Sequence, residues 1–168
     1  EATHFQDEGL FAAETVTNWE VGYKARPTQN LNWSMAAFYQ DYDAPQARIF
    51  VQFPLPDGSS IISNSLSNLD AAVSYGLEGD LRWTPLDGLD LVSGFTVMDS
   101  EIDQQSDAAG TGNAALFDGN PLPFASEVSV TLGARYEVRL SARSRLALNA
   151  NAKTQSAFYL DAEGRNDR

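Results

Sequence analysis

Cysteine is absent from this chain of 168 residues, and its absence excludes several kinds of chemistry. Without thiols there can be no disulfide, thiolate zinc site, iron–sulfur cluster or cysteine nucleophile. Histidine is almost as scarce, because His4 is the only one and it precedes the patterned part of the chain. One imidazole cannot build a metal cage, and a serine–histidine pair would need a histidine on a strand. The sequence therefore predicts no catalytic, cofactor or metal site and no enzyme.

Basic residues and long apolar runs are also scarce. Lys and Arg number 11 against 23 Asp and Glu, which gives a formal net charge of −12. Because phosphate backbones repel so acidic a chain, nucleic acid is not expected as a partner. A run of about 18 apolar residues, as a transmembrane helix requires, occurs nowhere in the sequence. A helical membrane protein is therefore excluded.

The strongest pattern in the sequence is a strict alternation of apolar and polar residues. It recurs in six stretches: NWEVGYKA, LNWSMAAFYQDYD, YGLEGDLRW, LDLVSGFTV, VSVTLGARYEV and LALNANAK. A period of two residues is typical of β-strands with one apolar and one polar face. No stretch shows a convincing helical period. The sequence therefore predicts an all-β fold.

Short and long connections alternate between these stretches. The short ones are RPTQN, TPLDG and RLSARSR, and the long ones cover residues 45–70 and 103–127. A soluble sandwich usually has short loops at both ends, whereas a transmembrane β-barrel has short periplasmic turns and long extracellular loops. The alternation of short and long connections therefore predicts an antiparallel up-and-down meander, with about six strands of a larger transmembrane β-barrel.

Aromatic and charged residues follow the same division. Aromatic residues of the apolar faces lie near the short turns (Tyr23, Trp33, Trp83, Tyr136) or toward the long connections (Tyr39, Tyr75, Phe95). Two such belts are typical of membrane–water interfaces. The polar faces carry ionisable groups in mid-strand, namely Glu20, Lys24, Glu78, Asp80, Arg82, Arg135 and Glu137. Since unpaired burial costs several kcal/mol per charge, we expect these faces to line a wet lumen or to form the solvated side of a soluble sheet.

Longer motifs point to one family. The stretch ETVTNWEVGYKARPTQNLNWSMAAFYQDYD resembles a strand–turn–strand unit from the barrel of TonB-dependent outer-membrane receptors. YGLEGDLRWTPLDGLDLVSGFTVMDSEID resembles another such hairpin, and GNPLPFASEVSVTLGARYEV resembles the start of a descending strand, with Ser126 where the family often has proline. FYLD is similar to the residues that close the next ascending strand. The motifs cover most of the chain in the order that the family has.

The resemblance implies an outer-membrane active-transport receptor that imports a scarce nutrient, such as an iron–siderophore complex, haem, cobalamin or a glycan. Its implied partners are outer-membrane lipid, lipopolysaccharide, the small nutrient and the TonB complex, reached through an N-terminal region. Residues 1–168 are expected to form a partial barrel domain that lacks the plug and the terminal strand, because six strands cannot close a barrel of the family's diameter. The chain begins at Glu1 with no visible signal peptide, so we expect an interior fragment of a protein from the bacterial outer membrane.

Two other functions remain open from the sequence, a passive porin-like channel and a soluble adhesin-like β-sheet domain. In the receptor interpretation, residues 43–70 and 103–124 form the ligand-facing loops. Four loop aromatics are chemically able to hold a substrate, although packing among the loops is the favoured role: Phe50, Phe53, Phe117 and Phe124. The sequence identifies no substrate-binding residue.

Two further motifs are weaker evidence for a functional site. Gly110–Ala115 fits a dinucleotide-binding pattern, but it lacks the strand before it and the helix after it that such a site needs. Asp99, Glu101 and Asp103 alternate along one strand end, so their carboxylates share a face and are able in principle to bind Ca²⁺ or to bridge lipopolysaccharide through divalent ions. A solvated loop stem is the favoured interpretation of these three acids.

Overall fold

The structure is a computed structural model, and it describes residues 12–104 and 117–162. This part of the chain is all-β. Its strands are β1 (Thr15–Thr28), β2 (Leu31–Asp43), β3 (Gln46–Pro54), β4 (Ser60–Asn68), β5 (Ala71–Leu86), β6 (Leu89–Asp103), β7 (Val128–Arg139) and β8 (Arg145–Gln155). No helix within the described ranges has the length and apolar character needed to cross a membrane.

Six of the strands form one antiparallel sheet in the order β1-β2-β5-β6-β7-β8. These six correspond to the six alternating stretches of the sequence, so the predicted up-and-down meander is confirmed. They contain 11 to 16 residues each, and a tilted strand needs about 9–11 residues to cross a bilayer. Each strand of the sheet is therefore long enough to span a membrane.

One of the two long connections differs from the prediction. Residues 45–70 were expected to be a loop, but they contain a separate two-stranded sheet in which β3 pairs with β4. Neither strand alternates clearly between apolar and polar residues. A pattern search therefore could not detect it.

The first two short turns are tighter than the sequence suggests, because the strands continue into the breaker residues. Only residues 29–30 separate β1 from β2, and residues 87–88 separate β5 from β6. Gly88 has a φ of 82°, which other residues adopt at a cost. A side chain at Gly88 would also meet the carbonyl oxygen of Glu137 at 2.3 Å. A glycine is therefore required at this turn.

The six-stranded sheet is a single layer. Extensive contacts join only strands that are neighbours in a sheet, and Leu132 of β7 is 55% exposed. Leu81 and Leu91 are only partly buried. The buried hydrophobic residues lie instead at the end of the sheet that carries the long connections, and they are Ala47, Leu69, Ala72, Ile102, Phe117 and Ala162. Most of the sheet therefore has no second layer of the described chain against its apolar side.

Candidate functional site

Strand register joins the apolar sides of the strands into one continuous apolar face. Val21, Ala37, Leu77, Val97 and Val128 are successive partners across five strands. Directly paired residues project to the same side of a sheet, so the apolar sets predicted strand by strand do share one side. Leu77 and Val97 are each nearly half exposed. In the described sheet, an apolar surface of this extent needs an apolar environment.

Aromatic rings lie on the apolar face toward the long connections, and we call them the upper aromatic row: Trp19, Tyr39 and Tyr75. The ring centroids of Trp19 and Tyr39 are 5.8 Å apart, and those of Tyr39 and Tyr75 are 6.4 Å apart. These spacings are within the range of favourable ring pairs. The predicted belt at this end of the sheet is therefore formed by neighbouring side chains.

A second group near the short turns forms the lower aromatic row: Tyr23, Trp33, Trp83 and Tyr136. Tyr23 and Trp33 have ring centroids 5.4 Å apart. Along β5, Tyr75 and Trp83 are about 27 Å apart at ~3.4 Å per residue, or about 20 Å in height for a strand tilted by ~40°. The apolar band of an outer-membrane barrel is about 25 Å tall, so the two rows have the spacing of a membrane girdle.

Phe95 does not belong to the upper aromatic row, as the sequence suggested. Phe95 pairs with Gly79 on the neighbouring strand, and Gly79 pairs with Met35 on the strand after that. Met35 in turn pairs with Tyr23, so Phe95 is level with a residue of the lower aromatic row. A Cβ atom on Gly79 would meet Cε1 of Phe95 at 2.7 Å, so the ring lies over the glycine. The prediction was wrong because position along one strand does not fix height when neighbouring strands are staggered.

The opposite side of the sheet, the polar face, carries charges of both signs. The Ser34 hydroxyl donates a hydrogen bond to the Asp80 carboxylate. Glu137 accepts hydrogen bonds from Arg135 at 2.9 Å and from Arg145 at 3.0 Å. All of these groups are accessible to water, and exposed ion pairs contribute little to stability. The polar face therefore has the character of a wet surface, as predicted.

We call the end of the sheet that carries the long connections the mouth. Loops cover the polar face at this end. Ala72 and Ile102 project from the polar face, yet both are fully buried by the cluster that includes Phe117. The N–H of Ile102 donates to the carbonyl of Asn120 at 2.8 Å, and the N–H of Leu122 donates to the Ser100 hydroxyl at 3.0 Å. Residues 117–127, called the roof segment, therefore run beside β6 at the mouth, and Phe117 and Leu122 of this segment cover the polar side of the sheet there.

The four loop aromatics singled out in the sequence have different environments. Phe117 is 1% exposed and belongs to the buried cluster, so its ring serves packing. Phe124 is 68% exposed and its ring centroid lies 5.9 Å from that of Phe158, a residue that the sequence did not single out. Phe50 and Phe53 lie in β3, and their side chains fall outside the described set. Of the two whose side chains are described, Phe124 therefore presents its ring at the surface of the mouth and Phe117 does not.

Acidic residues at and above the level of the upper aromatic row form an acidic band on the apolar face: Asp41, Asp43, Asp99, Glu101 and Asp103. Within the described residues, no three His, Asp or Glu side chains come together as a metal site. The calcium site considered for the three acids of β6 is therefore not formed. His4 and Gly110–Ala115 lie outside the described residues.

Charge is divided along the strand direction. Among the described residues, the end of the sheet with the long connections carries one basic side chain, Arg48, and eleven acidic ones, of which the five of the acidic band lie on the apolar face: Glu14, Asp41, Asp43, Asp57, Asp70, Asp99, Glu101, Asp103, Asp118, Glu127 and Asp161. Most described basic residues lie near the short turns. The mouth therefore has a negative potential that attracts cations and repels anions.

A family comparison agrees with this geometry. The model of the family described as TonB dependent receptor-like, β-barrel matches residues 3–167. This chain belongs to that family. TonB-dependent receptors are transporters of the outer membrane of Gram-negative bacteria and not enzymes. No solved structure gives a significant match to the chain.

Family membership gives the sheet its orientation. As part of a TonB-dependent receptor barrel, the apolar face contacts lipid and the polar face lines the lumen. The short turns are periplasmic, and the mouth is extracellular. The roof segment therefore lies on the lumen side of the barrel wall, where an incoming solute passes.

Proposed function

We propose that this chain is a partial barrel domain, residues 1–168, of an active-transport receptor that imports a scarce nutrient such as an iron–siderophore complex. The plug and the terminal strand would come from other parts of the receptor, and the TonB complex would supply energy through the N-terminal region. The observation that carries this proposal is the single-layer wall, which has a lipid-compatible apolar face and a loop-covered mouth over its polar face.

The proposed mechanism assigns different tasks to the two ends of the wall. The mouth binds the nutrient, and rearrangement of the plug opens a path along the polar face. That face carries Lys24, Glu78 and Asp80 at mid-strand, so a hydrated solute would meet charged and hydroxyl groups along its path. The paired strands form a continuous hydrogen-bonded wall, which supports a rigid scaffold around a moving plug.

A passive porin-like channel is the second candidate. It would need an open mouth, whereas the roof segment packs on the polar side of the sheet through Ile102 and Ser100. This covering favours a receptor that captures its ligand over a pore that admits solutes freely. A soluble adhesin-like sheet is disfavoured by the exposed apolar face, which includes Trp19 at 54% and Val21 at 76% exposure.

Lipopolysaccharide is the proposed partner of the acidic band. The band begins at Asp99, level with the upper aromatic row, and continues above it, and aromatic belts mark the membrane interface. At that height its carboxylates would face the phosphates of the outer leaflet. Divalent cations from solution would bridge the two negative surfaces, without a dedicated metal cage in the protein.

Energy dependence separates the receptor from the channel. The whole receptor would be produced in a strain that lacks it, and uptake of labelled ferric siderophores would be measured with and without a functional TonB complex. We expect uptake of at least one siderophore to stop when the complex is deleted or the proton gradient is collapsed. Uptake that continues unchanged in both conditions would establish a passive channel instead.

A further inference from the structure

Two aromatic rings at the mouth are held outside any core. Phe124 and Phe158 form a tilted pair with centroids 5.9 Å apart, and Phe124 is 68% exposed. The backbone of Phe124 has a φ of 61°, which a bulky side chain rarely adopts. Burial of the ring does not explain this conformation, because the ring is mostly in water. Strained backbone of this kind is often associated with binding and catalytic sites.

Hydrogen bonds fix the two segments that carry the rings. The N–H of Phe124 donates to the carbonyl of Tyr159 at 2.8 Å, which joins the roof segment to the residues that follow β8. The Asn120 side chain donates to the carbonyl of Ala162 at 3.0 Å. Because both segments are anchored, a ligand between or over the rings would lose little of its binding energy to ordering of the protein.

An acidic residue lies close in sequence to each of the two rings. Glu127 follows Phe124 by three residues, and Asp161 follows Phe158 by three residues. Arg48 is the single basic side chain among the described residues of the mouth, and it lies in the separate β3–β4 hairpin. The faces of aromatic rings carry partial negative charge and attract cations. Rings and carboxylates therefore favour the same kind of ligand, one with a positive charge.

We propose that Phe124 and Phe158 form a binding site for an organic cation, an alkylammonium or guanidinium group carried by the transported nutrient. The assignment of this cation to the cargo rests on the proposed transport function, but binding itself does not. The proposal narrows the substrate class, because a ligand with net negative charge would be repelled by the mouth. An apolar aryl group without charge would gain only the ring contact.

Binding of a matched pair of probes tests the proposal. Benzyltrimethylammonium and phenylacetate have similar size and one aromatic ring, but opposite charge. Each would be titrated into the whole receptor in detergent micelles, with saturation-transfer NMR as the readout. We expect the cation to bind at least about five-fold more tightly than the anion, since cation–π contacts and carboxylates act together. Added salt should reduce this preference.

Phe124→Gly is the informative variant, since glycine adopts a positive φ without strain and the fold is retained while the ring is lost. We expect affinity for benzyltrimethylammonium to fall about five-fold or more, and Phe124→Trp to retain it. Equal binding of both probes, or unchanged cation affinity in Phe124→Gly, would overturn the proposal. The titration needs no energised membrane, so it tests binding separately from transport. Binding of the cation without TonB-dependent uptake would contradict the transport function and still support this binding site.

Discussion

The position of a single side chain in this wall depends on alternation within its strand, on the stagger between strands and on contacts distant in the chain. The side to which Leu77 or Val97 projects follows from alternation alone, because the period of a strand fixes it. The height of Phe95 does not, because height depends on how each strand is staggered against the next. The exposure of Phe124 and its pairing with Phe158 depend on a hydrogen bond to Tyr159 far along the chain. Local sequence contains no signal for such a contact.

Asp57, at the tip of the β3–β4 hairpin, offers a test at this scale. Its carboxylate accepts hydrogen bonds from the Ser59 hydroxyl at 2.6 Å and from the Ser59 N–H at 2.9 Å, and these bonds lower the pKa of Asp57 below its ordinary value. A lowered pKa means that the turn is stabilised above the ordinary pKa and loses this contribution as pH falls through the folded value.

Removal of the hydroxyl should raise the pKa of Asp57 toward its ordinary value. The change is Ser59→Ala, and the measurement is a pH titration of the labelled aspartate carboxyl by NMR in the whole receptor. Ser59→Thr keeps a hydroxyl and should leave the low pKa in place. An identical titration curve for the alanine variant and the natural sequence would show that the hydroxyl has no such role.

At the scale of elements, the barrel strands were predictable and the loop hairpin was not. Each barrel strand has a lipid side and a water side, and this requirement imposes alternation on its sequence. The β3–β4 hairpin has no such requirement, so its pairing is visible only in the structure. The tight turns were predicted only in part. Their breaker residues are visible in the sequence, but the length of each turn depends on how far the two flanking strands pair.

The β5–β6 turn gives a prediction about one element. Gly88→Ala should destabilise the barrel, because a left-handed backbone conformation costs alanine about 1–2 kcal/mol and its Cβ would meet the Glu137 carbonyl oxygen. Gly58 is a matched control, since its φ of 85° is similar and no atom lies within 4 Å of a Cβ placed there. Urea unfolding in lipid vesicles should therefore show a larger loss for Gly88→Ala than for Gly58→Ala. Equal losses would mean that contact with β7 does not constrain the turn.

At the scale of the whole molecule, the same single-layer sheet explains membrane insertion and ligand access. The apolar face has no described partner in the chain, and the polar face is covered only at the mouth, so one wall separates lipid from lumen. The sequence predicted this division because apolar and polar residues alternate along every strand of the sheet. The concentration of acidic residues in and beside the long connections is also visible in the sequence. The pairing of Phe124 with Phe158 is not, since this contact joins segments separated by β7 and β8.

The most direct test of this account compares two neighbouring residues of β6. Val97 lies on the apolar face between the aromatic rows, and Thr96 lies on the polar face opposite Glu78. In the whole receptor folded into lipid vesicles, Val97→Arg should lower the free energy of unfolding by about 2 kcal/mol, between the cost at the bilayer midplane and that at the interface, while Thr96→Arg should change it by less than about 1 kcal/mol. If instead Val97→Arg is tolerated as well as Thr96→Arg, the apolar face does not contact lipid and the barrel-wall interpretation is wrong.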